Sequence, residues 1–343
     1  MQKSYNYLSS ILVWLFLSCC TSDHVLPVEP EPDVYAAGLE WLNSKSRVIY
    51  WKNGQSFVLP NPSHEFASIN ATGIAVSDGD VHVVGGGYLN TSIRSFGIYW
   101  KNGVISNVSP VRYPTSFNDI TVVGNDVYIA GSVYDQFNIQ LPSYWKNGVP
   151  VLASRTSYGM MTGISVSGND IHTCGYTLNQ IGPVAKYWKN GTEVNLSNSN
   201  NITNASAIAT LGSNIHVVGF ELDPITGRFT PKYWKNGIEH SLDDSGNSAL
   251  ARDVAIYGEE VYIVGIEYVN QVGKAVIWKN GVKNALEGTD ALSVAIHNNN
   301  VYVTTLATFC PNCAPSYLKN NKPIPLLGDA IFSHPSLIFV TNP

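Results

Sequence analysis

The sequence Tyr-Trp-Lys-Asn-Gly occurs at 50–54 and returns beginning at Tyr99, Tyr144, Tyr187 and Tyr233, with Ile277-Trp278-Lys279-Asn280-Gly281 and Tyr317-Leu318-Lys319-Asn320-Asn321 as its last two forms. Trp51, Trp100, Trp145, Trp188, Trp234, Trp278 and Leu318 are thus separated by 49, 45, 43, 46, 44 and 40 residues. A period of this length means that each copy builds the same supersecondary unit and buries its apolar surface against its neighbours. A second signature precedes the later copies at a fixed phase: IAVSDGDVHVVGG from Ile74, ITVVGNDVYIAG from Ile120, ISVSGNDIHTCG from Ile164, IATLGSNIHVVG from Ile208, VAIYGEEVYIVG from Val254 and VAIHNNNVYVTT from Val294.

Each of these segments reads as strand, turn, strand: apolar and polar residues alternate, β-branched and aromatic residues dominate, and Gly, Asn and Asp mark the turn. A variable loop then leads to a third strand ending in Tyr-Trp-Lys. Asn-Gly makes a two-residue hairpin, and a short fourth strand follows, as in VPVLA from Val149 or IEHSL from Ile238. Four antiparallel strands per repeat and seven repeats predict an all-β, seven-bladed β-propeller, with the tryptophans filling the seams between blades. The chain enters the repeat inside a unit, with Asp33-Val34-Tyr35-Ala36-Ala37-Gly38 as a second strand, so the C-terminal strand is expected to complete that blade and close the ring. Residues 330–333 align with the first-strand signature. Residues 336–340 (SLIFV) read as a further second strand, one more than seven blades require.

Composition agrees with one large all-β domain over 33–343. Charged residues are only 13%, while Gly (29), Tyr (19) and Trp (8) are plentiful. The net charge of -5 and the 20 Lys+Arg, six of them the lysine of Trp-Lys-Asn, leave no basic stripe for nucleic acid. In phase and strand character the repeat resembles the Kelch type: an inner strand, a second strand ending in glycine, doubled at Gly85-Gly86, and an outer pair carrying Tyr and Trp. It differs from Kelch in having a single glycine elsewhere and Tyr-Trp-Lys in the third strand. The resemblance implies fold and not function.

Residues 1–19 read as an export signal, with Lys3, an apolar run from Leu8 to Leu17 broken by two serines, and then Ser18-Cys19-Cys20. A small residue directly before a cysteine resembles the bacterial lipoprotein signal, which makes Cys19 the favoured lipidation site and Cys20 the alternative; a plain cleaved secretory signal is the other reading. Residues 20–32 form a proline-rich acidic tether. These features place the protein in a bacterial cell envelope, lipid-anchored at the outer membrane or facing the periplasm. Cys310 and Cys313 frame a C-P-N-C loop suited to a disulfide. Cys174 sits in an apolar strand as a small buried hydrophobe.

Propeller function resides mostly in the loops of one face. The ends of the second strands and the loops after them carry Trp41, Tyr88, Tyr134, Tyr176, Phe220, Tyr268 and Phe309, one aromatic per blade, a candidate stacking surface for a glycan or for a protein partner's apolar side chains. The bland alternative is that they cover blade edges. Glu40, Asp135, Glu221, Asp223 and Glu267 fall in the same segments; Glu221 and Glu267, at equivalent places on neighbouring blades, are the first candidates for paired acid–base chemistry on a polysaccharide. Ordinary solvated loop carboxylates are the simpler reading. Asp80, Asp126, Asp170 and Glu260 recur in register and read as turn formers. His82, His172 and His216 occupy the slot held by Tyr128, Tyr262 and Tyr302 in other blades, which marks them as packing variants and not metal ligands. No cofactor or metal is expected, and no nucleophile elbow, phosphate loop or H-E-x-x-H occurs. The reading is a monomeric, non-catalytic binding or scaffold module for a glycan or protein, with a propeller hydrolase or lyase acting on polysaccharide as the alternative.

Overall fold

The computed structural model describes residues 30–42, 45–62, 66–89, 95–106, 114–155, 157–197, 201–306, 315–328 and 332–342. The signal segment, Cys19, Cys20, most of the tether, Phe309, Cys310 and Cys313 lie outside them. The unit Pro32–Pro343 holds seven four-stranded antiparallel sheets and no helix among the described residues. Blades 2 to 7 each run through four consecutive strands, from Phe66–Ser77 in blade 2 to Lys322–Pro325 in blade 7. Blade 1 takes its second to fourth strands from the N-terminal end and its inner strand, Phe332–Thr341, from the C-terminal end.

This closing strand corrects the sequence alignment. Leu337 to Thr341 pair with Ala37 back to Asp33, so SLIFV belongs to the inner strand and the surplus second strand disappears. Ser336 stands at a register shift opposite Ala37 and Gly38, as does Leu292 opposite its own second strand. A proline and a bulge within five residues hide that phase from a period-two reading.

Among the described residues seven hydrophobic clusters lie at the seven seams between blades. One joins Tyr128, Ala130 and Tyr144 of blade 3 to Met161, Ile164 and Trp188 of blade 4; another joins Ala75, Val84 and Tyr99 of blade 2 to Phe117, Ile129 and Trp145 of blade 3. Tyr144 and Trp145 are consecutive strand residues, so they point to opposite faces: Trp145 fills the seam behind its blade and Tyr144 the seam ahead. All six repeat tryptophans are fully buried. Leu318 stands in for the seventh, between blades 6 and 7.

The rest of the repeated pentapeptide is explained at the hairpin. Asn147 and Gly148 adopt left-handed φ of 50° and 80°, as a two-residue hairpin turn requires. The Asn147 amide donates to the Val127 carbonyl (2.9 Å), its side-chain oxygen accepts from the Val127 amide (2.8 Å), and its Nδ2 donates to Asp126 (2.7 Å). Lys146 reaches the other oxygen of Asp126 at 2.9 Å. The outer hairpin is therefore clipped to the inner one. The side-chain clip onto the second-strand amide recurs through Asn53, Asn102, Asn190, Asn236, Asn280 and Asn320.

Consecutive antiparallel strands put the first-to-second and third-to-fourth turns on one face of each blade, the hairpin face. The second-to-third loops and the connections between blades lie on the other, the loop face.

Candidate functional site

Trp41 and Tyr88, at the ends of their second strands, are about half exposed. Tyr134, Tyr176, Phe220 and Tyr268 are half-buried. Phe220 packs edge-on against Phe229, with centroids 5.4 Å apart. The Tyr176 phenol is pushed up, first by burial and then by the Tyr134 phenol of the adjacent blade. The predicted aromatics among the described residues thus lie at the loop-face end of their blades with unequal exposure.

The predicted glutamates are ion-paired within their own blades. Glu221 accepts from Asn201 (2.8 Å) and pairs with Lys232 (3.1 Å). Glu267, which is buried, accepts from Asn247 (2.9 Å) and pairs with Lys283 (2.5 Å). Buried Glu40 is held by Arg47 at 2.5 Å. Asp135 and Asp223 accept backbone amides of their own loops, from Phe137 and Ile139 in one and from Ile225 in the other, and so act as turn formers.

The histidines behave as packing variants. His82, His172 and His216 share a hydrogen bond with the tyrosine of the same blade's third strand: Tyr99 and Tyr187 at 2.7 Å, Tyr233 at 2.8 Å. Burial pushes all three imidazoles down, His216 to about 4. Cys174 is buried, and burial pushes its thiol up to about 12, as an inert core residue requires. Among the described residues no three His, Cys, Asp or Glu gather to hold a metal.

Sequence reasoning missed the axis of the ring. Inner strands of all seven blades line a cavity of about 240 Å³. Each inner strand in blades 2 to 7 has a bulge at one place, which turns Thr72, Asn118, Thr162, Ser206, Arg252 and Leu292 to the cavity. The bulge explains the glycine inside most second strands, which run on past it: a Cβ at Gly131 would stand 1.8 Å from the Ser116 carbonyl oxygen. Several bulge residues bond the next blade, Thr72 to the Phe117 carbonyl (2.7 Å), Asn118 to Met161 (2.6 Å) and Thr162 to Ala205 (2.7 Å). Arg252 grips Asp290 of the next blade with Nε and Nη2.

Two carboxylates follow the bulge in blades 3 and 6. Asp119 accepts from the amides of Ile120 (2.8 Å) and, across the seam, Ile164 (2.9 Å). Asp253 accepts from Val254 (2.8 Å), Val294 (2.9 Å) and the Ser293 hydroxyl (2.8 Å). Burial pushes Asp119 up to about 7 against those hydrogen bonds, with Asp253 adding to the rise; burial likewise raises Asp253. The cavity therefore offers one carboxyl that exchanges a proton near neutrality. One of its oxygens caps the next amide of its own strand and the other braces blade 3 to blade 4. The signal was present in the sequence, since the same position holds Gly73, Gly163, Ala207 and Ser293 elsewhere.

No protein-family model matches the chain, and no curated protein matches it in sequence. Solved structures do match its shape. The chain superposes on the acylaminoacyl peptidase of Pyrococcus horikoshii with a TM-score of 0.51 at 11% identity, covering 87% of this chain and 52% of that one. A structure from a study of two prolyl endopeptidases gives 0.51 at 12%, covering 89% and 49%. The β-fructofuranosidase of Bombyx mori aligns over 91% of each chain at 10% identity, with a TM-score of only 0.31. The chain spans about half the length of the two peptidases, and at these identities the likeness is one of fold. The fold and the repeat define a seven-bladed β-propeller of four-stranded blades.

Proposed function

We propose that this protein is a non-catalytic binding or scaffold propeller, Kelch-like in its repeat, held to a bacterial envelope by lipid on Cys19 (or Cys20) and presenting its loop face to a protein or glycan. The observation that carries the non-catalytic part is the state of the carboxylates: Glu221 and Glu267, the best-placed acid–base pair in the sequence, each lie against a lysine ammonium and outside the axial cavity. A general acid needs a carboxyl free to reach its substrate, and a carboxylate ion-paired to a lysine of its own sheet is committed to the fold. The apolar residues exposed on the loop face support contact instead.

The alternative, a hydrolase or lyase acting on polysaccharide, has one observation in its favour. Asp119 and Asp253 line a polar cavity, and Asp119 titrates near 7. Incubating the full-length protein with a polysaccharide panel and analysing for released oligosaccharides separates the two readings. No product is expected; product formation abolished by Asp119→Asn would replace the binding reading with the enzymatic one. Metabolic labelling with an alkynyl fatty acid tests the anchor, with loss of label expected in Cys19→Ala. Retention there and loss in Cys20→Ala would move the lipid by one residue.

A further inference from the structure

Four consecutive blades carry the same three-residue pattern at the tip of the second-to-third-strand loop. It reads Asx, one residue, then an apolar side chain: Asp135-Gln136-Phe137, Asn179-Gln180-Ile181, Asp223-Pro224-Ile225 and Asn270-Gln271-Val272. The apolar residues are all more than half exposed, at 73%, 52%, 93% and 56%. In three tips the Asx side-chain oxygen accepts the amide of the apolar residue at 2.8 Å. In the fourth, Asn270 and Gln271 are the left-handed pair of a tight turn ending at Val272. A lone exposed apolar side chain is ordinary; one at the same place in four successive blades, each on a pinned loop, is an arc of fixed knobs. Leu178 and Tyr158, both about half exposed, add to it at blade 4.

The chemistry of the arc selects its occupant. Ile181, Ile225 and Val272 have no ring face on which a sugar can stack. Asp135 and Asp223 stand at the roots of two knobs with no ion-pair partner among the described residues. The Thr226 hydroxyl and the loop's backbone amides hold Asp223 below the usual carboxylate range, so it is ionised at neutral pH. Fixed negative charge beside the knobs repels phosphate headgroups and attracts lysine or arginine.

We propose that the arc formed by Phe137, Ile181, Ile225 and Val272 docks a protein segment carrying apolar anchors flanked by basic residues. This rests on the binding-module reading and narrows it to a protein partner. Pinned loops lose little conformational freedom on binding, which favours affinity from few contacts.

The test pans a phage-displayed random dodecapeptide library on the full-length protein, with counter-selection on a variant carrying Phe137→Ser, Ile181→Ser, Ile225→Ser and Val272→Ser. Enriched peptides should contain spaced apolar residues with Lys or Arg. Their synthetic forms should bind the fourfold variant about tenfold or more weakly by fluorescence anisotropy, as loss of interface anchors requires. Asp223→Asn, which keeps the turn, should weaken the basic peptides by a smaller factor, and melting should be unchanged in both variants. Failure to enrich peptides, or equal binding to the fourfold variant, overturns the proposal. So does knob-dependent binding to vesicles of phosphatidylglycerol, or knob-dependent self-association in sedimentation. Knob-dependent binding to a polysaccharide would overturn the protein partner while leaving the binding module intact; no binding of any probe would count against both.

Discussion

The hairpin face and the loop face of this propeller are built by the same strands yet follow opposite rules. On the hairpin face the residues repeat from blade to blade because each holds the sheet together: Asn147 clips two hairpins, Lys146 pairs with Asp126, and Asp126 in turn serves both. On the loop face, apart from the Asx-x-apolar tips of four blades, the residues vary in kind and spacing. There the apolar knobs stand free, and the glutamates are tied to lysines drawn from different strands, Lys232 of the third in blade 5 and Lys283 of the fourth in blade 6. Repetition carried through all seven blades therefore marks what the fold needs, and a pattern confined to some of the blades marks where function can be sought. The axial carboxylates are an intermediate case, departing from the repeat yet bracing seams.

The widest gap between the two classes should appear in stability. Trp145→Ala removes an indole that is fully buried between blades 2 and 3 and packed edge-on against Phe117, with centroids 4.8 Å apart. A loss of ~3 to 5 kcal/mol in urea unfolding is expected for such a truncation. A change under about 1 kcal/mol, no more than an ordinary surface site shows, would break the claim that the seams hold the ring.

The axial carboxylates sharpen the comparison through pH. Asp119 has a folded pKa of about 7, raised by burial above its unfolded value. Its contribution to stability is then fully present below about pH 4, where both states are protonated, and declines as pH rises toward 7, because the unfolded chain releases the proton first. The three buried histidines, with pKa values lowered by burial, work in the other direction, so the wild-type profile is a sum. Comparing wild type with Asp119→Asn between pH 4 and 8 isolates the carboxyl. The wild type should lose about 1 to 3 kcal/mol relative to the variant over that range, less than full conversion of the shift because the cavity admits water. Parallel profiles would show that Asp119 titrates normally.

A clip residue should rank next. Asn147→Ala gives up two side-chain hydrogen bonds and places a Cβ residue other than Asn at φ 50°, for an expected cost of ~1 to 2 kcal/mol by thermal unfolding. Asn147→Gly keeps the backbone free and should recover part of that. If Gly and Ala were equal, the hydrogen bonds alone would account for the clip.

Much of this was legible from the chain because period and alternation are local signals. The Trp-Lys-Asn-Gly hairpin, the strand order and the ring closure all follow from them. The register of the closing strand was not, since Pro335 and the bulge at Ser336 break the alternation. Pairing of Glu267 with Lys283 was equally hidden: it joins a second strand to a fourth, across a third, and only the assembled sheet brings them together. Asp119 and Asp253 were visible as departures from Gly, Ala and Ser, but only once the bulge gave their position a meaning. The Asx-x-apolar tips were in plain view and escaped notice because loops of unequal length lose phase with the repeat.

The smallest expected effect is also the one that separates the two faces most sharply. Ile225 is almost wholly in water, on a loop whose shape is set by Asp223 and its amide partners and not by the isoleucine itself. Ile225→Ser removes no packed contact and leaves the Asx turn intact, so its stability should stay within about 0.5 kcal/mol of wild type, as at other surface sites. A thermal melt beside that of Trp145→Ala measures the contrast directly. A large loss at Ile225 would mean that the side chain packs against the protein in solution, and the loop face would then be part of the fold's support; an unchanged melt leaves it as a surface whose apolar groups the folded chain does not itself use.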